Sequence, residues 1–487
     1  MARRREFERK ILSLLHNKKT RIKLPEIHAQ IIRHDLDQLN SVLSHFVAVC
    51  GSLGKMCYAE KIFLGAGYPD IYLFNAMIKG FSLVGPFSRS ITVYSVMKKR
   101  GVCGDCYTYA PLLKACSSFR DLRLGRCAHK DAFVNGFEWF PSVRVGILEL
   151  YASNGELHDA RKVFEEMPHK EAILWNLMIQ GYCRTGQINT GLELFWDMKN
   201  RSVVSWNIMI TGLAECGRED EALGYFDTMQ TEGCQPDEAT LVTLLPICGR
   251  IGAMDIGKKL HSYAESSGLL RKFASVGNSL MYFYGKCDSL ETALKVFAEM
   301  PKKTVISWNT LISFLAYRGR DKHGIELFEQ MIEEGFEPNE ATFVGVLTCC
   351  SHGGLVERGR EFFNLMSTRY QIEPTIEHHG CMIDLLGREG YLREAYDLAR
   401  RMRERANSAI WGSLLCACRT QGDLAMAKAC VEELAKLEPW NSGNYVQLSN
   451  LYADEKKWDE VEKVRLLMKE KGIAKAPGLS AIHWNSI

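Results

Sequence analysis

Two stretches of the chain, about a hundred residues apart, are copies of one unit. Val203 to Asp237 reads VVSWNIMITGLAECGREDEALGYFDTMQTEGCQPD, and Val305 to Asn339 reads VISWNTLISFLAYRGRDKHGIELFEQMIEEGFEPN. Trp206 and Trp308 lie 102 positions apart, and so do Asn207 and Asn309. A fixed internal period restricts a chain to repeat architectures. In each copy Trp206, Met209, Ile210 and Leu213, or their equivalents, fall on one helical face, and Gly217 is placed to end that helix. Ala222, Leu223, Phe226 and Met229 form a second apolar stripe, broken by Gly233 and Pro236. Thirty-five residues in two short helices cannot bury both stripes alone. Stacked copies can, so the spacing predicts an all-α solenoid of helix–turn–helix units.

Related units fill most of the chain. The 35-residue variety spans 71–105, 203–237 and 305–339. A 31-residue variety spans 40–70, 141–171 and 274–304, with ARKVFEEMP at 160–168 and ALKVFAEMP at 293–301. A third variety spans 106–140, 238–273 and 340–375 and opens on TYAPLLKAC or TLVTLLPIC. Further units span 172–202 and 376–407. Residues 408–439 and 440–478 read as paired helices without the Trp–Asn landmark. No linker or low-complexity segment divides the array.

The N-terminal segment, residues 1–39, is basic: Arg3, Arg4, Arg5, Lys10, Lys18, Lys19, Arg21 and Lys23. It reads either as an organelle-targeting presequence or as a capping helix with a solvated basic face. Glu6 and Glu8 count against the first. Leu24 to Ile32 resembles the second helix of a degenerate repeat. The chain as a whole is nearly neutral: 61 Lys and Arg against 58 Asp and Glu give a net charge of +3. Any nucleic-acid site must therefore come from local charge. The 17 cysteines are scattered, mostly at apolar helix positions such as Cys216, Cys248 and Cys381, which predicts buried, reduced thiols. No apolar run is long enough to span a membrane.

The alternation of 35-, 35/36- and 31-residue units, with SWN…EAL…F…M…G…PD and MIDLLGREGYLREAYDLARRM at 382–402, resembles the plant pentatricopeptide-repeat family in its PLS subclass. WGSLLCACRTQGD at 411–423 and GNYVQLSNLYADEKKWDEVEKVRLLMKEKGI at 443–473 look like that subclass's two C-terminal E motifs. The tetratricopeptide repeat, a protein-binding scaffold, expects a 34-residue unit and does not fit these periods. The resemblance implies a right-handed superhelical solenoid that reads single-stranded RNA, one base per repeat, through two or three side chains.

In that family the fifth and last residues of a repeat do the reading. Carried over, these are Asn75 with Asp105, Asn176 with Ser202, Asn207 with Asp237, Asn278 with Thr304, and Asn309 with Asn339. Ser44 with Asp70 is a further pair, and Asn407 stands opposite Gly380. Ala110, Val145, Val242 and Val344 at the fifth position cannot hydrogen-bond a base. An Asp beside an Asn accepts only, so it should hold the amide nitrogen and leave the oxygen to a base, favouring uracil. A Ser hydroxyl can donate and lets the amide turn, which suits cytosine. The expected target, 5′ to 3′ along the chain, is U, two unread, C, U, one unread, then two pyrimidines. The competing structural reading is that the asparagines cap the first helix of each unit.

Enzymatic signatures are missing. Cys103 and Cys106 form a CxxC with no second pair, so no structural zinc is expected. His169-Lys170-Glu171 matches the start of a zinc-deaminase signature but no PCxxC follows. The sequence stops at Ile487 soon after the E-like motifs, with no counterpart of the subclass's deaminase domain (named for its last three residues, DYW). The resemblance thus implies a non-catalytic specificity factor for cytidine-to-uridine editing of organellar RNA, with no cofactor. Its partners would be a deaminase-bearing protein of the same family and small organellar editing factors. The mitochondrion is expected, with the chloroplast as alternative. A non-catalytic RNA stability or splicing factor is the other function such recognition serves.

Overall fold

The computed structural model describes residues 2–17, 23–470 and 472. Lys18, Lys19 and Arg21 of the basic N-terminal segment, Lys471 and residues 473–487 lie outside the described residues. Twenty-nine helices, and no strands, are found among the described residues. Contacts divide the chain into two compact units, residues 1–244 and 245–487, the division falling within the helix Glu238–Ile251.

In the first unit, Asn40–Ser52, Ile71–Val84, Cys106–Phe119, Pro141–Ser153, Ala172–Arg184 and Val203–Glu215 are the first helices of successive pairs, and each packs on the next. In the second unit the same holds for Ala274–Lys286, Val305–Tyr317, Glu340–His352, Ile376–Arg388 and Ser408–Gln421. Each is followed by a second helix packed against it, such as Glu219–Thr231 after Val203–Glu215. This is the α-solenoid architecture that the spacing predicts.

The pair Val203–Glu215 and Glu219–Thr231 shows why the sequence folds so. Ser202 caps the first helix: the Ser205 N–H donates to Ser202 Oγ at 3.3 Å, and the Ser202 N–H donates to Ser205 Oγ at 3.2 Å. Such a box satisfies two of the free N–H groups at a helix start. Gly217 takes φ +74°, a left-handed value that side chains avoid, and turns the chain back. Glu219, Asp220 and Glu221 fill the first turn of the second helix, where its dipole favours negative charge. Trp206, Met209, Ile210 and Leu213 are fully buried, and Ala222, Leu223, Phe226 and Met229 nearly so.

The tryptophan landmark is an inter-unit lock. Trp206 meets Phe195, on the preceding second helix, edge to face at 4.8 Å between ring centroids. Trp308 meets Phe297 at 4.8 Å, Trp175 meets Phe164 at 5.0 Å, and Phe74 meets Phe63 at 5.4 Å in the same way. The phenylalanine of the KVF signature is thus the seat for the next unit's aromatic. In the unit that begins at 141 an arginine takes this position. Arg144 is 3 % exposed, donates from Nη2 to Glu166 at 2.8 Å and stacks over Trp139 at 4.3 Å.

At the N-terminal end, Ala2–His16 and Leu24–Arg33 are paired helices, and Ile11, Leu15, Ile27 and Ile31 are buried. The cysteines depart from expectation. All 17 are free, and Cys248 is buried, but Cys216 and Cys381 are half-buried and Cys57, Cys103, Cys127 and Cys416 are exposed. Apolar spacing places a thiol on the inner face without sinking it fully. No helix is long and apolar enough to cross a membrane among the described residues.

Candidate nucleic-acid interface

Three of the carried-over pairs form one repeated network. Asn207 sits at the fifth residue of the helix Val203–Glu215, and its Nδ2 donates to Asp237 Oδ1 at 2.9 Å. Asn75 donates to Asp105 at 3.0 Å, and Asn309 to Asn339 at 3.0 Å. A third residue closes each network. The hydroxyls of Thr108, Thr240 and Thr342 donate to the Oδ1 of Asn75, Asn207 and Asn309, each at 2.6 Å.

The asparagines are therefore not helix caps, since each lies a full turn inside its helix. The caps are the last residues of the units. Asp105, Asp237 and Asn339 accept from the backbone N–H of Thr108, Thr240 and Thr342 at 2.9, 3.0 and 3.1 Å. One side chain thus fixes the start of one unit's first helix and the amide on the first helix of the unit before it. An asparagine amide has two donors and two acceptor lone pairs. The network uses one of each, so one N–H and one lone pair remain in a fixed order.

Burial pushes the Asp237 carboxyl up, and the bonds from Asn207, from the Thr240 N–H and hydroxyl and from the Ala239 N–H outweigh it, leaving its pKa below the ordinary aspartate value. Asp237 is thus a dedicated acceptor at neutral pH.

Other pairs are not joined by hydrogen bonds. Ser202 and Thr304 cap their helices and bond Ser205 and Ser307 at 3.1 and 3.2 Å. The Oδ1 atoms of Asn176 and Asn278 are buried and accept no hydrogen bond among the described residues. Ser44 donates to the Ser41 carbonyl at 3.2 Å, while Asp70 caps the helix that starts at Ile71 by accepting from Leu73 N–H at 3.0 Å. Asn407 caps the helix Ser408–Gln421 by accepting from Ile410 N–H at 3.1 Å. Ala110, Val145, Val242 and Val344 occupy the asparagine's register, half-buried, and offer no polar group.

Five of the units present an exposed large apolar side chain at their second residue, three positions before the amide's register. Tyr72, Tyr107, Ile173 and Val204 in the first unit, and Ile306 in the second, are 51–74 % exposed. Rings and branched side chains at this recurring register give flat apolar surface to a base. Lys79 lies four residues beyond Asn75 and Lys114 four beyond Ala110, both exposed and on the same helix face as those positions. Glu149 continues the row, its carboxyl pKa raised by burial. The threonines and the lysines were missed in reading the sequence. The i+4 spacing from the fifth residue was the available signal for the lysines.

Among the described residues no cluster of His, Cys, Asp and Glu could hold a metal ion. Cys103 is exposed and Cys106 half-buried. His169, Lys170 and Glu171 lie exposed between the helices Leu157–Glu165 and Ala172–Arg184.

Family models match along the chain. The PPR repeat matches residues 72–102, 146–171, 173–203, 278–305 and 378–406, and the PPR repeat family matches 201–250 and 303–352. The E motif matches 422–483, which begins where WGSLLCACRTQGD ends. A pentatricopeptide repeat-containing protein of Arabidopsis thaliana is 52% identical over 478 residues, covering 98% of this chain and 99% of its own. Two others from that plant carry organelle names. One, a putative chloroplastic protein, is 42% identical over 97% of this chain and 86% of its own. The other, mitochondrial, is 36% identical over 96% of this chain and 69% of its own. The crystal structure of the pentatricopeptide repeat protein PPR10 in complex with an 18-nt psaJ RNA element shares the fold. Its TM-score is 0.50 at 18% identity, over 89% of this chain and 75% of that one.

Proposed function

The chain belongs to the pentatricopeptide-repeat family, and on that premise we propose that it recognises a specific single-stranded RNA and marks one cytidine in it for conversion to uridine by a deaminase supplied in trans. The observation that carries the RNA reading is the network repeated at Asn75, Asn207 and Asn309. Each offers a preset N–H and lone pair beside an exposed apolar side chain. Stacking supplies affinity and the amide supplies choice. With carboxylate or amide oxygen holding Nδ2, these three positions favour uracil. At Asn176 and Asn278 the buried oxygen leaves the amino group to the base, which suits the acceptor at cytosine N3.

The editing role is supported by the E motif match at 422–483. In that region Trp440 is 71 % and Trp458 64 % exposed, large apolar surface of the kind a docking protein covers. The partners are a deaminase-bearing protein of the same family and small editing factors. The site of action is an organelle, the mitochondrion on our sequence reading or else the chloroplast.

The test is a plant lacking the gene. One cytidine should remain unconverted in an organellar transcript whose level and splicing are unchanged. Loss of the transcript, or of its splicing, with all cytidines still converted would contradict the editing role. Deleting 408–487 should abolish conversion and leave RNA affinity nearly intact; collapse of affinity would place those helices in the RNA site.

A further inference from the structure

We propose that Thr108, Thr240 and Thr342 are specificity-positioning residues: each fixes which end of the preceding unit's asparagine amide a pyrimidine meets. The inference rests on the asparagines being base readers. The three threonines are 0 % exposed, so they act through the asparagine and do not touch RNA.

The three networks match almost atom for atom. Each hydroxyl is 2.6 Å from the asparagine Oδ1 and 3.0–3.1 Å from the oxygen of the unit's last residue. It also accepts from that residue's backbone N–H at 3.0–3.2 Å. The last residue is charged in two networks, at Asp105 and Asp237, and neutral in the third, at Asn339. What the three share is the threonine together with an acceptor Oδ1 on the last residue, whether or not that residue is charged.

The same chain contains the contrast. The first helices of the units that follow those of Asn176 and Asn278 carry Ser205 and Ser307 at the threonine's place, also 0 % exposed. Their hydroxyls pair with Ser202 and Thr304, and the amide oxygens go without a donor among the described residues.

The consequence follows from the base edges. Uracil shows a donor at N3 beside an acceptor at O4, whereas cytosine shows an acceptor at N3 beside a donor at N4. One amide pairs with either base by turning over about its Cβ–Cγ axis. In the threonine networks a turned amide gives up the 2.6 Å bond and sets Oδ1 against the last residue's oxygen. The amide is locked, and the two pyrimidines become distinguishable.

The experiment uses the full chain and RNA oligonucleotides that differ only at the nucleotide facing Asn207. Thr240→Val removes the hydroxyl and keeps the shape; Thr240→Ser keeps the hydroxyl. The U-to-C affinity ratio should fall about tenfold in Thr240→Val, the scale of one hydrogen bond, and stay within about twofold of the parent in Thr240→Ser. Thermal unfolding separates folding from selectivity. Equal weakening on both RNAs with an unchanged ratio would reduce Thr240 to a helix-capping residue and overturn the proposal. A parent chain with no preference at that nucleotide refutes the base-reader premise instead, so the two failures are distinct. The same substitutions at Thr108, read at the nucleotide facing Asn75, decide the matter if Thr240→Val does not fold.

Discussion

Asn207 Nδ2 lies 2.9 Å from Asp237 Oδ1, although thirty residues separate the two. Two helices run out and back between them, and the contact closes where the next unit begins. Asp237 is bound to that place by the Thr240 backbone N–H at 3.0 Å. A helix cap of this kind contributes about 1 kcal/mol, so the fold itself holds the carboxylate against the amide. Helix initiation thus also fixes the orientation of the Asn207 amide.

The Asp237 pKa sets a pH dependence. A depressed folded-state value means the carboxylate contributes stability above its unfolded pKa, near ~3.9, and that contribution is lost as pH falls through the lower folded value. The U preference facing Asn207 should therefore be constant between about pH 8 and pH 5. Binding titrations with paired U and C oligonucleotides across that range check it. A ratio that changes severalfold between pH 7 and 5 would mean that another group orients the amide.

Trp206→Ala should cost about 3–5 kcal/mol, the usual range for emptying a buried aromatic site. The loss should concentrate at the junction with Phe195, because units in an array depend on their neighbours. Hydrogen exchange of the helices Ile188–Asp197 and Val203–Glu215 should accelerate, while exchange at Ile71–Val84 stays near that of the parent chain. Uniform acceleration would show a single cooperative core.

Much of this was legible in the sequence. The 102-residue spacing of Trp206 and Trp308, with apolar stripes at helical period, predicts the helix pairs. Trp206 and Phe226 lie on the faces that the stripes indicate. The partnership of Asn207 with Asp237 comes from the family resemblance, which singles out a unit's fifth and last residues; the unit length only locates them in this chain. The threonines were not legible. Thr240, at the third position of its helix, reads as half of a local capping box, and its second bond crosses to a helix that begins 35 residues earlier. Local patterns are silent on such a bond. For the same reason the sequence did not show that Asp237 is the cap and Asn207 is not, or that Asn407 and Asp70 are bound up in capping. Arg144 in a tryptophan's place could be seen in the sequence, but its pairing with Glu166 and Trp139 depends on packing.

Lys79 and Lys114 should contact phosphate rather than base. Replacing both by Ala should weaken binding on every RNA by a similar factor. The slope of log affinity against log salt should become shallower by about 1.4, roughly 0.7 for each phosphate on a single strand. Filter binding at several salt concentrations measures it. A change confined to one nucleotide's preference would make the lysines readers.

The central claim is that Asn207 chooses a base. Asn207→Thr shortens the side chain, makes room for a purine and leaves Asp237 as an acceptor able to take a guanine N–H. Affinities should be measured for four RNAs that differ only at the nucleotide facing Asn207. The preference should move from U towards G by about 1–3 kcal/mol, the worth of one good base contact, with other positions unchanged. Equal weakening on all four RNAs would contradict the account, because it would leave Asn207 as a structural residue with no part in reading sequence.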